Sequence, residues 1–317
     1  MVAMAQNPVN YPDGTDHSEA LPLRLSPSRA NDYITCPRMF YYKTICGMYS
    51  PPSEATIKGN LAHAAFERIF DHPAGERTAE NAVPYIAQEW ERMCSENVED
   101  MTERDAERHL ENIKHHRRIA PEGSAEEAAM LAGAEKFVRS WFDMERVNNF
   151  DPTALELPDG TVIDGREVHL SAELNGLTLH GFVDRLDRWE ASDGTVHWSI
   201  SDYKTGKVPA DKWVGKYWLQ LRIYAMLAEQ MWGIRPTICR LVFVASGDRD
   251  GGIKTLPITE HTQTATRAQV EKLWKNIRRD ARTGTWKPTK SPLCNWCYFQ
   301  DICPAWNPHL EGIPVTG

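Results

Sequence analysis

Two acidic residues and one lysine stand where neighbouring strands can bring them together. Residues 181–185 read Gly-Phe-Val-Asp-Arg, and residues 202–206 read Asp-Tyr-Lys-Thr-Gly. Side chains alternate between the two faces of a strand, so Asp202 and Lys204 point to the same side. Asp184, on the neighbouring strand of a predicted hairpin, can converge on them. The pattern therefore predicts two carboxylates and one ammonium group at a strand end.

These three groups suit phosphodiester hydrolysis assisted by a metal ion. Carboxylate oxygens are suitable ligands for Mg²⁺ or Mn²⁺. A bound cation lowers the pKa of its water and neutralises charge on a phosphoryl oxygen. Lys204 can orient or deprotonate that water, or stabilise the developing negative charge.

The alternative interpretation is a set of three solvated surface charges. Val196, Trp198 and Ile200 argue against it, because their alternation marks this face of the strand as the one turned to the core. Asp202 and Lys204 continue the same face, where unpaired charges are costly. The alternation therefore favours a functional site.

The elements that position these groups follow from hydrophobic periodicity. Alternation predicts strands at about 167–174, 178–188, 195–203, 238–245 and 253–258. The turn signal at 192–194 joins the second and third strands as a hairpin. Helical spacing predicts helices at about 27–35, 58–70, 78–95, 125–147, 212–232 and 262–283, with Pro84 disturbing the third. The charged segment 96–123 has no clear period. The layout is an α/β or α+β core with a mixed sheet and a helical insertion.

Composition and charge limit the classes of function. The chain has 36 basic and 44 acidic side chains and a net charge of -8. This balance argues against a general nucleic-acid coat but leaves room for a local basic groove. No stretch approaches the ~20 apolar residues of a membrane span. The first residues lack the basic and apolar regions of a signal peptide, so we expect a cytoplasmic protein with no membrane contact. Residues 1–22 are expected to form a disordered arm.

Several motifs in order resemble the RecB-like branch of the PD-(D/E)xK nucleases. G-x-x-D-R at 181–185 and D-Y-K-T-G at 202–206 resemble motifs II and III of that branch. Residues 59–67 resemble its helix with a metal-binding histidine, and residues 220–224 resemble its Q-x-x-x-Y helix motif. Glu167 resembles its upstream glutamate.

The resemblance implies an architecture and a set of site residues. It implies a restriction-endonuclease-like core with a mixed central sheet flanked by helices. A single nuclease domain would cover 23–306, with an insertion at about 78–147, a core at about 160–260 and a tail at 307–317. The implied metal ligands are His63, Asp184, Asp202 and the backbone carbonyl of Tyr203. The implied catalytic residues are Lys204, Asp184, Asp202 and Glu167, and the implied DNA-binding residues are Gln220, Tyr224 and Arg185.

The residues by themselves leave simpler interpretations open. His63 stands one helical turn from Glu67 and can pair with it. Gln220 and Tyr224 have the same spacing and can form an ordinary polar edge. Glu167 at a strand start can be a solvated residue whose role is local structure or electrostatics.

Four of the seven cysteines form a candidate metal site. Cys294, Cys297 and Cys303 have the spacing C-x₂-C-x₅-C, and Cys36, followed by proline, is the best fourth ligand, with Cys46 as a substitute. Four thiolates suit either a 4Fe–4S cluster or zinc. One N-terminal and three C-terminal cysteines resemble the iron–sulfur staple of CRISPR-associated single-strand exonucleases and AddB-type helicase–nucleases. That resemblance implies a structural 4Fe–4S cluster in a lobe made of residue 36 and residues 284–306.

The function implied by the resemblance is metal-dependent exonuclease activity on single-stranded DNA or DNA ends. The cofactors would be Mg²⁺ or Mn²⁺ and a 4Fe–4S cluster. The partners would be DNA and proteins of recombination, replication or CRISPR adaptation. One alternative is a non-catalytic DNA-binding or assembly subunit, against which the intact acidic pair and lysine count. Another is a zinc-stabilised enzyme of other chemistry.

Overall fold

The computed structural model describes residues 14–310 and has a mixed α/β fold. The α-helices are α1 (Pro27–Thr35), α2 (Pro37–Phe40), α3 (Glu54–Arg68), α4 (Ala79–Ala82), α5 (Pro84–Met93), α6 (Glu103–Ile119), α7 (Ala125–Met144), α8 (Asp211–Trp232), α9 (Arg249–Gly252) and α10 (Glu260–Thr283). The strands are β1 (Arg24–Leu25), β2 (Leu155–Glu156), β3 (Val162–Ile163), β4 (Arg166–Leu174), β5 (Leu177–Glu190), β6 (Val196–Lys204), β7 (Ile238–Phe243) and β8 (Ile253–Pro257). Within this described range, no helix is long and apolar enough to cross a bilayer.

Capping residues and prolines explain where the early helices begin. Ser26 accepts a hydrogen bond from the backbone N–H of Arg29, with Pro27 in the first helical position, as predicted. Ser53 caps α3 in the same way, so this helix begins four residues before its predicted start. The predicted helix at 78–95 is divided into α4 and α5 at Val83, immediately before Pro84.

Helix α6 is the main element that periodicity did not predict. Thr102 caps it, but only Ile113 and His116 along it are buried. Its apolar stripe is therefore too narrow to stand out against the surrounding charged residues.

The central sheet is mixed, and helices flank it. β5 and β6 form the predicted antiparallel hairpin, with Arg185 opposite Ser201 and Gly194 in the turn at a φ of +81°. β6 runs parallel to β7, where Asp202 lies opposite Leu241, and β7 runs antiparallel to β8. Strand β4 pairs with β5. Hydrogen bonds on both sides make β6 an interior strand, and its residues from Trp198 to Tyr203 are all buried.

The chain divides into two compact units. Among the described residues, the first unit comprises 14–50, 171–181 and 264–310, and the second comprises 51–170 and 182–263. The core of the second unit brings together α3, α7 and one face of the sheet. Phe66 packs against Trp141 and Tyr203 there, with ring centroids 4.8 and 5.0 Å apart. This packing fixes α3 beside the end of β6.

In the first unit, the predicted disordered arm is wrong for residues 14–22. His17 is buried and accepts a hydrogen bond from the Trp286 indole over 3.1 Å, and its backbone N–H donates to the carbonyl of Ala281. The imidazole fills a site beside Trp286 and Tyr41, a partnership across the sequence that local composition does not reveal. The rest of that prediction, residues 1–13, and residues 311–317 of the predicted tail lie outside the described residues.

Candidate active site

In the second unit, three side chains from three different elements converge on one point. His63 comes from α3, Glu167 from the start of β4 and Asp184 from β5. Nδ1 of His63 lies 3.7 Å from Oδ2 of Asp184 and 4.0 Å from Oε1 of Glu167. One ligand atom from each of the three residues lies within 4.8 Å of the others. One imidazole nitrogen and two carboxylate oxygens at this spacing can hold a hard divalent cation.

The backbone of Tyr203 joins this group. Its carbonyl oxygen lies 3.2 Å from Nε2 of His63, and its N–H donates a 2.6 Å hydrogen bond to Oδ2 of Asp184. The imidazole of His63 therefore faces Tyr203, Asp184 and Glu167. Helical spacing alone also allowed His63 to pair with Glu67, but in the structure its imidazole belongs to this site.

Asp202 and Lys204 lie together at the end of β6. Nζ of Lys204 is 2.6 Å from Oδ2 of Asp202. Nε2 of Gln220, on α8, donates to the other carboxylate oxygen over 3.0 Å and lies 3.3 Å from the hydroxyl of Tyr224. Gln220 thus holds Asp202 in place, and the buried Tyr224 reaches the site through Gln220.

Glu167 has a strained backbone. Its φ is +42°, in the left-handed region that residues other than glycine seldom adopt. The neighbouring Arg166 is held by 2.7 Å ion pairs to Asp164 and Asp71. These contacts fix the start of β4, and strain that is held in this way is typical of functional sites. The sequence does not reveal this conformation.

The electrostatics of the site reflect an excess of buried carboxylates. Burial raises the pKa of Asp202 to about 6, with repulsion by Asp184 adding to the effect and the attraction of Lys204 opposing it. Burial and Glu167 also raise the pKa of Asp184, against the pull of His63 and Lys204. Burial alone would lower the pKa of His63, but the surrounding carboxylates outweigh it and raise the pKa to about 9. A bound cation would relieve this repulsion.

The opposite face of the same hairpin carries a buried ionic network that the sequence did not predict. Arg185 is 1% exposed and its guanidinium lies 2.8 Å from Glu145 and 2.9 Å from Asp187. Arg240 reaches the second oxygen of Glu145 at 2.5 Å. The hydroxyl of Tyr203 hydrogen-bonds to Arg185. We refer to Glu145, Arg185, Asp187 and Arg240 as the arginine network.

The prediction that Arg185 contacts DNA is therefore wrong. Its guanidinium is enclosed in the interior and already paired with two carboxylates, so no phosphate can reach it. Glu145 follows the last residue of α7, forty positions before Arg185, and no spacing rule connects two such residues.

In the first unit, the four predicted cysteines line one pocket of about 50 Å³. Cys36 lies at the junction of α1 and α2, and the others are Cys294, Cys297 and Cys303. Backbone N–H groups are directed at two of the sulfurs, from Thr289 to Cys36 over 3.3 Å and from Ser291 to Cys294 over 3.4 Å. Burial raises the pKa of the Cys297 and Cys303 thiols, and the neighbouring cysteines add to the rise. Within residues 14–310, no three cysteine sulfurs lie within 4.8 Å of one another.

Comparison with known proteins identifies a family whose model matches most of this chain. The family model described as the PD-(D/E)XK nuclease superfamily matches residues 24–304. A search of curated proteins found no match. Among solved structures, the chain is similar to a "Putative exonuclease" from Eubacterium rectale, at 14% identity and a TM-score of 0.48, over 88% of this chain and 89% of that chain.

Proposed function

Since the chain belongs to the PD-(D/E)XK nuclease superfamily, we propose that it is a metal-dependent DNA exonuclease acting on single strands or DNA ends. The observation that carries the proposal is the convergence of His63, Glu167 and Asp184 within 4.8 Å beside the Asp202–Lys204 pair. Buried carboxylates with too few cations around them are typical of a metal site, and an adjacent lysine is typical of hydrolysis at phosphorus.

The donor set fits a divalent metal ion. Oxygen donors with one imidazole suit Mg²⁺ or Mn²⁺. His63, Glu167 and Asp184 would hold the ion. The carbonyl of Tyr203 and a carboxylate oxygen of Asp202 would be the remaining ligands from the protein. When bound, the ion supplies a water of lowered pKa and neutralises charge on the phosphoryl group.

The chain's own residues supply orientation and one positive charge. Lys204 is held by Asp202, so its ammonium group can stabilise the charge that develops on the phosphoryl oxygens, or take part in proton transfer from the water. Gln220 fixes the orientation of Asp202 by holding its other oxygen. The hydrogen bond from the Tyr203 N–H fixes Asp184 in the same way.

Digestion of end-labelled DNA tests the proposal. Single- and double-stranded oligonucleotides are incubated with anaerobically purified protein and Mn²⁺ or Mg²⁺, and the position of the retained label gives the polarity. We expect metal-dependent shortening by the parent protein and none by Lys204→Ala or Asp184→Ala. Lys272→Ala, on the exposed side of α10, is a matched lysine control and should cleave normally. A parent protein that binds DNA but leaves it intact with every metal would support a non-catalytic DNA-binding subunit instead.

We also propose that Cys36, Cys294, Cys297 and Cys303 bind a structural 4Fe–4S cluster. Their common pocket supports this, as do the two N–H groups directed at the sulfurs, since such hydrogen bonds stabilise cluster thiolates. Zinc is the alternative occupant of a site with four thiolates.

Absorption spectroscopy and metal analysis of anaerobically purified protein test the cluster. We expect a brown protein containing iron, and loss of colour in Cys36→Ser and Cys297→Ser. Cys46→Ser is the matched control because Cys46 is near Cys36 in sequence but does not line the pocket. A colourless protein loaded with zinc would overturn the iron–sulfur assignment, and loss of iron in Cys46→Ser but not in Cys36→Ser would change the ligand set.

A further inference from the structure

An exposed aromatic pair lies beside the catalytic carboxylates. Phe182 on β5 is 55% exposed, and its ring centroid lies 4.9 Å from that of His169 on β4, with the ring planes at 39°. His169 is exposed as well. The mechanism proposed above uses neither ring.

Strand alternation places this pair on the same face as the site. In β5, Val183 and Arg185 are buried, while Phe182 and Asp184 alternate with them and face the other way. His169 follows Glu167 by two residues along β4. Two residues of a strand span about 6.7 Å. The pair is therefore separated from the carboxylates by about twice the 3.4 Å rise per nucleotide along the axis of B-DNA.

We propose that Phe182, supported by His169, is a stacking platform for an unpaired nucleobase next to the phosphodiester that is cleaved. A base must leave its duplex before its flat face can lie on a ring, so the platform selects single-stranded DNA or a frayed end. Aromatic side chains stack on any base, so the platform selects strandedness without selecting sequence. The inference rests on the proposed nuclease function and assigns the recognition of unpaired DNA to a named residue.

A second aromatic pair on the same hairpin supplies a matched control. Trp189 is 42% exposed and stacks on His197, with ring centroids 5.3 Å apart, close to the turn at the far end of the hairpin. It resembles the Phe182–His169 pair in exposure and ring chemistry but lies five residues beyond Asp184, toward the turn. Removing either ring should have a similar effect on folding, but only the removal of the Phe182 ring should weaken DNA binding.

Binding measured without cleavage tests the platform. The fluorescence anisotropy of labelled oligothymidylate is followed in the Lys204→Ala background, with Phe182→Ala, Phe182→Trp or Trp189→Ala added. Loss of one base–aromatic stack should raise the Kd roughly 5- to 150-fold in Phe182→Ala. Phe182→Trp should restore binding, and Trp189→Ala should leave it unchanged. An equal Kd for Phe182→Ala and its parent, or equal losses in Phe182→Ala and Trp189→Ala, would overturn the proposal.

Oligonucleotides with a single abasic site show whether the stacked base is next to the cleaved bond. With cleavage-competent protein, one abasic position should raise KM in the parent, and the same position should have no effect in Phe182→Ala. Sensitivity at that position that persists in Phe182→Ala would overturn the proposal. Failure of the parent to cleave any DNA would contradict the nuclease function instead, and the binding series in the Lys204→Ala background would still decide whether Phe182 stacks on bases.

Discussion

Both faces of the β5–β6 hairpin carry buried charges, but the charges are balanced on one face and unbalanced on the other. On one face, Glu145 and Asp187 meet the guanidinium groups of Arg185 and Arg240, so the negative and positive charges are matched. On the other face, three carboxylates crowd together beside a single lysine and a histidine. The pKa of Glu145 falls to about 2, because the two arginines outweigh the effect of burial, whereas the pKa of Asp202 rises to about 6.

This difference separates a structural charge cluster from the proposed metal site. Burial raises the pKa of a carboxyl in both places, so burial alone does not distinguish them. What differs is whether the protein supplies the opposite charge. The arginine network is complete, whereas the site face has an excess of negative charge that an external cation can neutralise. Tyr203 belongs to both faces, since its hydroxyl joins the arginine network and its backbone contacts Asp184 and His63.

Substitution at the site face should have the largest effect on activity and little effect on folding. Lys204→Ala and Asp184→Ala should each lower kcat by at least about 10²- to 10³-fold, as expected for loss of electrostatic stabilisation in the transition state. Thermal unfolding measured beside the digestion assay should show both variants folded. If these variants were unfolded, the site face would contribute to stability as the arginine network does, and the two faces would not differ in role.

Substitution in the arginine network should have the reverse effect. Glu145→Ala leaves two guanidinium groups without their carboxylate and should lower the free energy of unfolding by about 3–5 kcal/mol. Arg139→Ala, which removes half-exposed ion pairs to Glu80 and Glu135, is the control and should cost no more than about 1 kcal/mol. Urea denaturation gives both values, and equal losses would show that the network contributes no more than a surface pair.

The pH dependence of stability should have opposite signs on the two faces. The pKa of Glu145 is lowered in the folded state, so its contribution of about 3 kcal/mol is present above pH 4.5 and is lost as the pH falls toward 2. The pKa of Asp202 is raised, so in metal-free protein its contribution is present below pH 3.8 and is lost as the pH rises through 6. Denaturation of the parent, Glu145→Gln and Asp202→Asn from pH 2 to 7 should show that the first variant loses less stability than the parent as the pH falls through the lower window. The second variant should lose less than the parent as the pH rises through the upper window. A parent-like profile in either variant would refute that residue's assignment.

The smallest expected effect is a gain in stability. Asp202→Asn removes a carboxylate that is repelled by its neighbours, but it also removes the ion pair with Lys204. The net gain in the unfolding free energy of metal-free protein at pH 8 should therefore be about 1 kcal/mol, the size of a typical stabilising substitution, while activity is abolished. Differential scanning calorimetry in EDTA measures the change. Destabilisation would mean that the ion pair with Lys204 outweighs the repulsion.

Local patterns were enough to predict the hairpin and the residues at its end. The alternation of Trp198, Ile200 and Asp202 reflects the pleat of one strand, and the helix starts predicted at 27, 78 and 125 each have a capping side chain beside them. Long-range partners were not predictable in this way. The family resemblance implies that Arg185 contacts DNA, and nothing near it in the sequence shows that Glu145 takes its charge. The positive φ of Glu167 depends on its tertiary setting, and the burial of His17 depends on Trp286, which lies 269 positions away.

Titration with Mn²⁺, followed by electron paramagnetic resonance, tests most directly the claim that the unbalanced face is a metal site. The parent protein is compared with Asp184→Ala, Lys204→Ala and Asp193→Asn, the last an exposed carboxylate in the turn of the same hairpin. We predict that the parent, Lys204→Ala and Asp193→Asn bind Mn²⁺, that Asp184→Ala does not, and that only the parent and Asp193→Asn cleave DNA. Binding by Asp184→Ala with the affinity of the parent would show that the carboxylates of this face do not hold the ion, and would contradict the account.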